Sequence, residues 1–211
     1  MSPDEHHGTV AVLLPDDWTP IPLEDDVERT AAVDDVIERQ LGRSRDLAGL
    51  RKTMHRELLR ATELSARGGG VLMALATGSG GTPAAPASLT VYRVPGSLHG
   101  RGRQAMTSVL AGDEPGHSLD VGDGPAGTVL RRVRPSAGRT GLTGDRALPA
   151  LLVDYWVEPT PGAQLVYLVF SSPLVDLRDE LLGLFDAVVS SVRVLAPADH
   201  GTRAGTDQED T

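Results

Sequence analysis

The sequence contains no cysteine, which excludes disulfide bonds, thiolate metal sites and a cysteine nucleophile. Nothing in it therefore calls for an oxidising compartment. The first residues, Met1 to His7, are polar and acidic and lack the apolar segment of a secretory signal peptide. No apolar run approaches the roughly 20 residues that a membrane-spanning helix needs. We therefore expect a cytoplasmic protein without a membrane-inserted segment.

Positive charge is also scarce. Twenty Lys and Arg residues stand against 29 Asp and Glu, the net charge is -9, and Lys52 is the one lysine. This balance repels polyanions, so we expect no general binding to nucleic acid. The local concentration of basic residues comprises Arg131, Arg132, Arg134, Arg139 and Arg146. These arginines could bind an anionic partner, or they could form a solvated strand face that nearby acids balance.

Motifs for catalysis or cofactor binding are weak. The glycine-rich stretch from Thr77 to Thr82 follows a strand, but it lacks the Lys-Ser/Thr ending of a phosphate-binding loop. Asp120 to Gly124 lacks the ligand alternation of a calcium loop, and a turn is the simpler interpretation. The six histidines show no close metal-ligand spacing beyond His6 and His7. We therefore expect no catalytic residues, no cofactor and no metal, and we expect that the protein is not an enzyme.

Aromatic residues are few and concentrated. Two Trp, three Tyr and two Phe are all the sequence has, and five of these seven lie between Leu151 and Val194. This stretch predicts two strands, Leu151 to Val157 and Gln164 to Phe170, and then a helix from Pro173 to about Ser191. Ser172 suits the N-cap of that helix. The second strand is apolar on both faces, which predicts that other elements cover it on both sides.

The remaining periodicity predicts further helices and strands. Helices are expected from Glu24 to Leu41, from Asp46 to Arg67 and from Arg101 to Ala111, and strands at Thr9 to Leu14, Val71 to Ala76, Ala87 to Val94, His117 to Val121 and Thr128 to Arg134. Trp18 to Pro22 is expected to be an extended connection. This order predicts an α+β fold with helices packed on a twisted antiparallel β-sheet. Residues 9–195 are expected to form this single domain, with disorder at 1–8 and in an acidic tail at 196–211.

Two segments resemble a known family. Tyr167-Leu-Val-Phe-Ser-Ser-Pro173, followed by Leu181 to Val192, resembles the ending of the Mog1/PsbP-like superfamily, where a core strand leads into a helix with a spaced Phe, an aliphatic residue and a Ser. Leu13 to Trp18 resembles that group's early Pro-x-x-Trp stretch, and the helical pair from Glu24 to Arg67 fits its actinobacterial versions. The resemblance implies a non-enzymatic protein that binds a partner, as a cargo chaperone or a secretion-associated accessory does. It implies no catalytic residues, because the family has no shared catalytic set.

The sequence thus leaves three functional hypotheses. The leading hypothesis is a protein-binding module, for example an accessory or chaperone of a bacterial secretion system. Its candidate partner-binding residues are Trp18, Arg131, Arg132, Arg134 and Trp156. Core packing is the alternative for both tryptophans. The second hypothesis is a small-molecule-binding or enzymatic domain with a pocket between the sheet and helices 24–67. The third is anionic-ligand binding at the strand from Arg131 to Arg134. Neither the partner's identity nor the oligomeric state follows from the sequence.

Overall fold

A computed structural model describes residues 9–42, 45–78, 85–111, 117–136, 149–160 and 164–195. Within these ranges the helices are α1 (Asp26–Leu41), α2 (Ala48–Arg67), α3 (Gly100–Leu110) and α4 (Arg178–Ser190). From one edge to the other, the antiparallel seven-stranded sheet consists of β2 (Trp18–Pro22), β3 (Gly70–Ala76), β4 (Ser88–Val94), β8 (Leu165–Ser172), β7 (Ala150–Glu158), β6 (Gly127–Ser136) and β5 (Ser118–Gly124). Strands β1 (Thr9–Ala11) and β9 (Arg193–Leu195) pair separately. The predicted α+β class with a twisted antiparallel sheet is confirmed. The segments predicted to be disordered, 1–8 and 196–211, lie outside the described residues.

Helix α1 begins and ends at residues suited to those positions. The Asp25 carboxylate accepts hydrogen bonds from the backbone N–H groups of Val27 at 2.8 Å and Glu28 at 2.9 Å. It thereby satisfies two donors that the first turn of a helix leaves without a partner. The helix stops at Gly42, whose φ of 58° lies in the left-handed region that glycine adopts without steric cost.

Helix α4 covers one face of the sheet. Phe185 on this helix stacks on Phe170 of β8 with ring centroids 4.3 Å apart, and Phe170 also meets Tyr155 edge-on at 5.6 Å. The Tyr155 hydroxyl donates a hydrogen bond to Asp186 on the helix at 2.7 Å. Arg131 of β6 donates to the other oxygen of the same carboxylate at 2.8 Å. Apolar packing and this polar pair together hold α4 in place.

The opposite face carries the other three helices. Helices α1 and α2 pack on β2 and β3 around Ile21, Val36 and Met73. Helix α3 packs over the other half of this face, against a cluster that includes Leu130 and Trp156. Strand β8 lies fourth of the seven strands. Its face towards α4 is buried, whereas on the opposite face Leu165 is buried and Tyr167, Val169 and Ser171 are half-buried, so the predicted cover on both sides is complete on one side only.

The segment from Trp18 to Pro22 is an edge strand and not the extended connection that its prolines suggested. It forms β2 and pairs with β3 from Trp18 opposite Ala76 to Pro22 opposite Leu72. Proline is compatible with an edge strand because one side of such a strand donates no ladder hydrogen bonds. The ring of Trp18 is buried and meets Phe170 edge-on at 6.4 Å.

The predicted start of the last helix is wrong. Ser172 is the final residue of β8, a 3-10 turn spans Val175–Leu177, and α4 begins at Arg178. The Ser172 hydroxyl accepts a hydrogen bond from the backbone of Leu174 at 3.2 Å and donates one to the carbonyl of Pro86 at 2.8 Å. It therefore joins the end of β8 to the segment before β4 and does not cap the helix. Leu177 lies in the 3-10 turn before α4, and its side chain is exposed.

We expect the substitution Phe185→Ala to lower the free energy of unfolding by about 3–5 kcal/mol, because it empties a fully buried position stacked on Phe170. Urea denaturation followed by circular dichroism measures this change. The matched control is Leu184→Ala, at an exposed position one residue earlier, with an expected loss of about 1 kcal/mol. Equal losses for the two variants would contradict the described packing of α4.

Candidate functional site

Charged and aromatic side chains gather on the sheet face that carries α1, α2 and α3. We name this set the arginine–aromatic strip, and it consists of Tyr92, Arg132, Arg134, Asp154, Trp156 and Tyr167. Strand register places them together, since Arg132 lies opposite Asp154 and Trp156 lies opposite Tyr167. Residues directly opposite in an antiparallel pair share a face and interact.

The Asp154 carboxylate is the centre of the strip. It is fully buried, and its Oδ2 accepts hydrogen bonds from Arg132 Nη2 at 2.7 Å and from Arg134 Nε at 2.8 Å. Its Oδ1 accepts from the Tyr167 hydroxyl at 2.9 Å. One carboxylate thus positions two guanidinium groups, and the strip keeps a formal excess of one positive charge.

The protonation states of the strip follow from these contacts. Burial alone would raise the pKa of Asp154, but hydrogen bonds from Arg134 and Arg132 and their charges outweigh burial and hold that pKa below its ordinary value. Burial, and then the nearby Asp154 charge, raise the pKa of Tyr167. At neutral pH the carboxylate is therefore charged, and the phenol keeps its proton and donates to it.

Ring stacking restrains the aromatic side chains of the strip. Tyr167 stacks on Trp156 at a centroid distance of 4.7 Å and on Tyr92 at 5.6 Å. The guanidinium carbon of Arg132 lies 5.3 Å from the ring centre of Trp156, within the range of a cation–π interaction. The Arg134 side chain is 38% exposed and that of Arg132 is 19% exposed, so Arg134 is the more accessible cation.

The structure brings together three of the five residues predicted from the sequence. Arg132, Arg134 and Trp156 belong to the strip, whereas Arg131 points to the opposite face and contacts Asp120 and Asp186. Both tryptophans are buried, so core packing accounts for Trp18 and supports the strip at Trp156. Arg139 and Arg146 lie outside the described residues. Partner binding by these five residues stays a prediction.

Asp154 and Tyr167 were not among the site residues predicted from the sequence. A signal was present, because Asp154 is the one acid within the apolar stretch from Leu151 to Val157. A charged carboxylate in a strand that is otherwise apolar needs a counter-charge or hydrogen-bond donors beside it. Alternate residues of a strand share a face, so Arg132 and Arg134 of the strand predicted at Thr128 to Arg134 could have supplied that partner.

A second buried carboxylate lies at the start of α3. Glu158 accepts hydrogen bonds from the backbone of Leu98 at 2.6 Å, from Nδ1 of His99 at 2.7 Å and from the Ser97 hydroxyl at 3.1 Å. Among the described residues, the Ser97 hydroxyl bonds the carboxylate and not the imidazole, so the three side chains do not form a nucleophile–base pair. The cluster instead fixes the turn from which α3 begins.

A groove of about 830 Å³ opens at the end of the sheet where α1 begins and α2 ends. We name it the end groove, and its lining residues are Leu23, Glu24, Asp26, Arg29, Glu63, Ala66, Arg67, Gly69, Gly70, Val71 and Arg93. It lies between the sheet and helices 24–67, where the small-molecule hypothesis expects a pocket. A small-molecule-binding or enzymatic role for this groove stays a prediction.

The other motifs considered in the sequence contribute little to the described structure. Asp120 to Gly124 is not the turn expected from the sequence but the second half of β5, where the Asp123 carboxylate accepts a hydrogen bond from Thr128 at 2.7 Å. Residues 79–82 of the glycine-rich stretch lie outside the described ranges. Within those ranges, no group of three or more His, Asp or Glu side chains could hold a metal ion. None of the described helices is long and apolar enough to cross a membrane.

Comparison with known proteins identifies no family. No protein-family model matches the chain, and no curated protein matches it significantly. Among solved structures, LpqN from Mycobacterium tuberculosis, described as involved in cell envelope biogenesis, is similar, with 11% sequence identity and a TM-score of 0.46. The match covers 92% of this chain and 87% of LpqN. A likeness at this level assigns neither a family nor a function to the chain.

We expect Asp154→Asn to lower the free energy of unfolding at pH 7 by about 3 kcal/mol, because it leaves two partly buried guanidinium groups without their counter-charge. Because the pKa of Asp154 is lower in the folded state than in the unfolded state, its ionised carboxylate stabilises the fold, fully so at a pH above the unfolded-state pKa near 4. This contribution is lost as the pH falls through the lower folded-state pKa. The difference between wild type and variant should therefore shrink below about pH 4. Urea denaturation across pH 2–7 measures it.

The matched control for this prediction is Asp120→Asn, which removes an exposed carboxylate that pairs with Arg131. Exposed ion pairs contribute little, so we expect a loss below about 1 kcal/mol. A loss for Asp154→Asn that is as small as this, or that does not depend on pH, would contradict the described role of Asp154.

Proposed function

We propose that this chain is a non-enzymatic protein-binding module and that its partner contacts the arginine–aromatic strip. The observation that carries the proposal is the geometry around Asp154, which fixes two guanidinium groups beside stacked aromatic rings on a partly exposed sheet face. Arginine, tyrosine and tryptophan are the residue types that most often supply binding energy at protein interfaces.

Rigidity of the strip favours binding. An arginine that is mobile in the free protein loses side-chain entropy when it binds, and this loss weakens affinity. Hydrogen bonds to Asp154 already restrict Arg132 and Arg134, and stacking restricts Tyr167. The entropic cost of ordering these side chains has therefore been met during folding.

Charge indicates the chemistry of the partner. The chain carries a net charge of -9, whereas the strip has a local excess of one positive charge. A partner segment with a carboxylate can approach Arg134 favourably, and the acidic remainder of the molecule repels it elsewhere. Such a field improves orientation and specificity more than affinity. We therefore propose an acidic segment of another protein as the binding partner.

The resemblance to the Mog1/PsbP-like superfamily supports the same function, since its members typically act as partner-binding subunits, chaperones or accessories. Tyr167 belongs both to the resembling segment and to the strip. On this basis we extend the proposal to an accessory or chaperone role in a bacterial secretion system. The cytoplasmic location expected from the sequence is part of the proposal.

Immobilised wild-type protein is expected to retain a specific protein from a lysate of its native host, and Arg134→Glu should reduce that retention about tenfold or more, because charge reversal repels an acidic partner. Quantitative mass spectrometry of the retained proteins measures the change. A photo-crosslinking residue at Ser171, on the same sheet face, should label the retained protein directly.

Two controls accompany this experiment. Arg178→Glu reverses a charge at an exposed position near the start of α4, on the opposite face, and should leave retention unchanged. A crosslinking residue at exposed Leu184 should not label the partner. Loss of retention in both charge variants, or the absence of any retained protein, would contradict the proposal.

A further inference from the structure

Arg29 in the end groove is a buried cation whose hydrogen bonds are incomplete. It donates to the carbonyl of Leu23 at 3.0 Å and to Asp26 at 2.6 Å. Its Nε is buried and has no hydrogen-bond partner among the described residues. A guanidinium has five N–H donors and stays charged at any physiological pH, so it cannot avoid the cost of burial by losing a proton.

The counter-charge of Arg29 is the carboxylate of Asp26, which is exposed to solvent. The Arg29 side chain is 9% exposed, whereas that of Asp26 is 88% exposed. An ion pair with one solvated partner compensates a buried charge poorly, because water screens the carboxylate. Arg29 can therefore form a stronger ion pair with an anion that is less exposed to water.

Arg93, near the end of β4, is likewise a largely buried arginine paired with an exposed acid. It donates to Glu24 at 3.1 Å, and its side chain is 20% exposed while that of Glu24 is 64% exposed. Its Nε is likewise buried without a hydrogen-bond partner in the described ranges. Buried donors of this kind are rare in native proteins, and a bound water or ion that accepts from them is one of their recognised explanations.

Charge is layered across the groove. Arg29 and Arg93 lie deep, whereas Asp26 and Glu24 lie at the solvent-exposed rim. Arg67 from α2 adds a third guanidinium to the lining. The two rim carboxylates are mostly exposed to solvent. An oxyanion that enters the groove can replace them and accept charge-assisted hydrogen bonds from the guanidinium groups.

We propose that the end groove binds a small organic molecule through a carboxylate or phosphate group, held by Arg29 and Arg93 with support from Arg67. The volume of about 830 Å³ is within the range of small-molecule pockets. Glu24, Asp26 and Glu63 line the same groove and repel further negative charge, so the remainder of the ligand is neutral or cationic. This site uses none of the residues of the arginine–aromatic strip.

Nuclear magnetic resonance titration of the full chain tests this site with two simple probes, inorganic phosphate and acetate, at an ionic strength kept constant with chloride. Either probe is expected to shift the Nε–H signals of Arg29 and Arg93 saturably, with a Kd below about 10 mM. Saturation by phosphate alone, by acetate alone or by both supports the proposal and identifies the oxyanion class.

Arg93→Gln should weaken binding of the effective probe about tenfold or more, since it removes a charge-assisted donor pair. Arg67→Gln, at an exposed position, provides a second variant if Arg93→Gln disturbs folding, and it should weaken binding severalfold. The matched control, Arg103→Gln on the exposed surface of α3, should leave the Kd unchanged. The proposal is overturned if neither probe saturates, or if Arg103→Gln weakens binding as much as the groove variants do.

Discussion

The pairing of β7 with β8 is the constraint on which the rest of the structure depends. Both strands lie in the middle of the sheet, and their side chains are apolar or aromatic on both faces with few exceptions. Such a pair is stable only if most of both faces is removed from water. Helix α4 supplies one cover through Phe185, and α3 with its neighbouring loop supplies much of the other.

Asp154 is the exception within this apolar pair, and it explains the strip. A charge at that position is tolerated because two arginines and a tyrosine hydroxyl surround it. These partners must lie on the same sheet face, and strand register places them there. A requirement of folding thus produces an ordered group of cations and rings on a surface that a partner can reach.

The strip and the end groove differ in how completely their charges are satisfied. In the strip, every oxygen of the central carboxylate accepts at least one hydrogen bond, which is typical of a rigid network. In the groove, Arg29 and Arg93 each keep a buried Nε that no described residue accepts from. The first arrangement suits contact between preformed surfaces, whereas the second suits a ligand that adds the missing acceptor.

The sequence by itself determined features that depend on neighbouring residues. These include the helix that ends at Leu41, the strand β6 and the apolar sequence of β8, because helix stop signals and periodicity act over a few residues. Only the tertiary structure decided that Ser172 bonds Pro86 and caps no helix, that Arg131 contacts Asp186, and that Arg29 and Arg93 line one groove. Those contacts join residues far apart in the chain, and local periodicity carries no information about which distant segment will lie opposite.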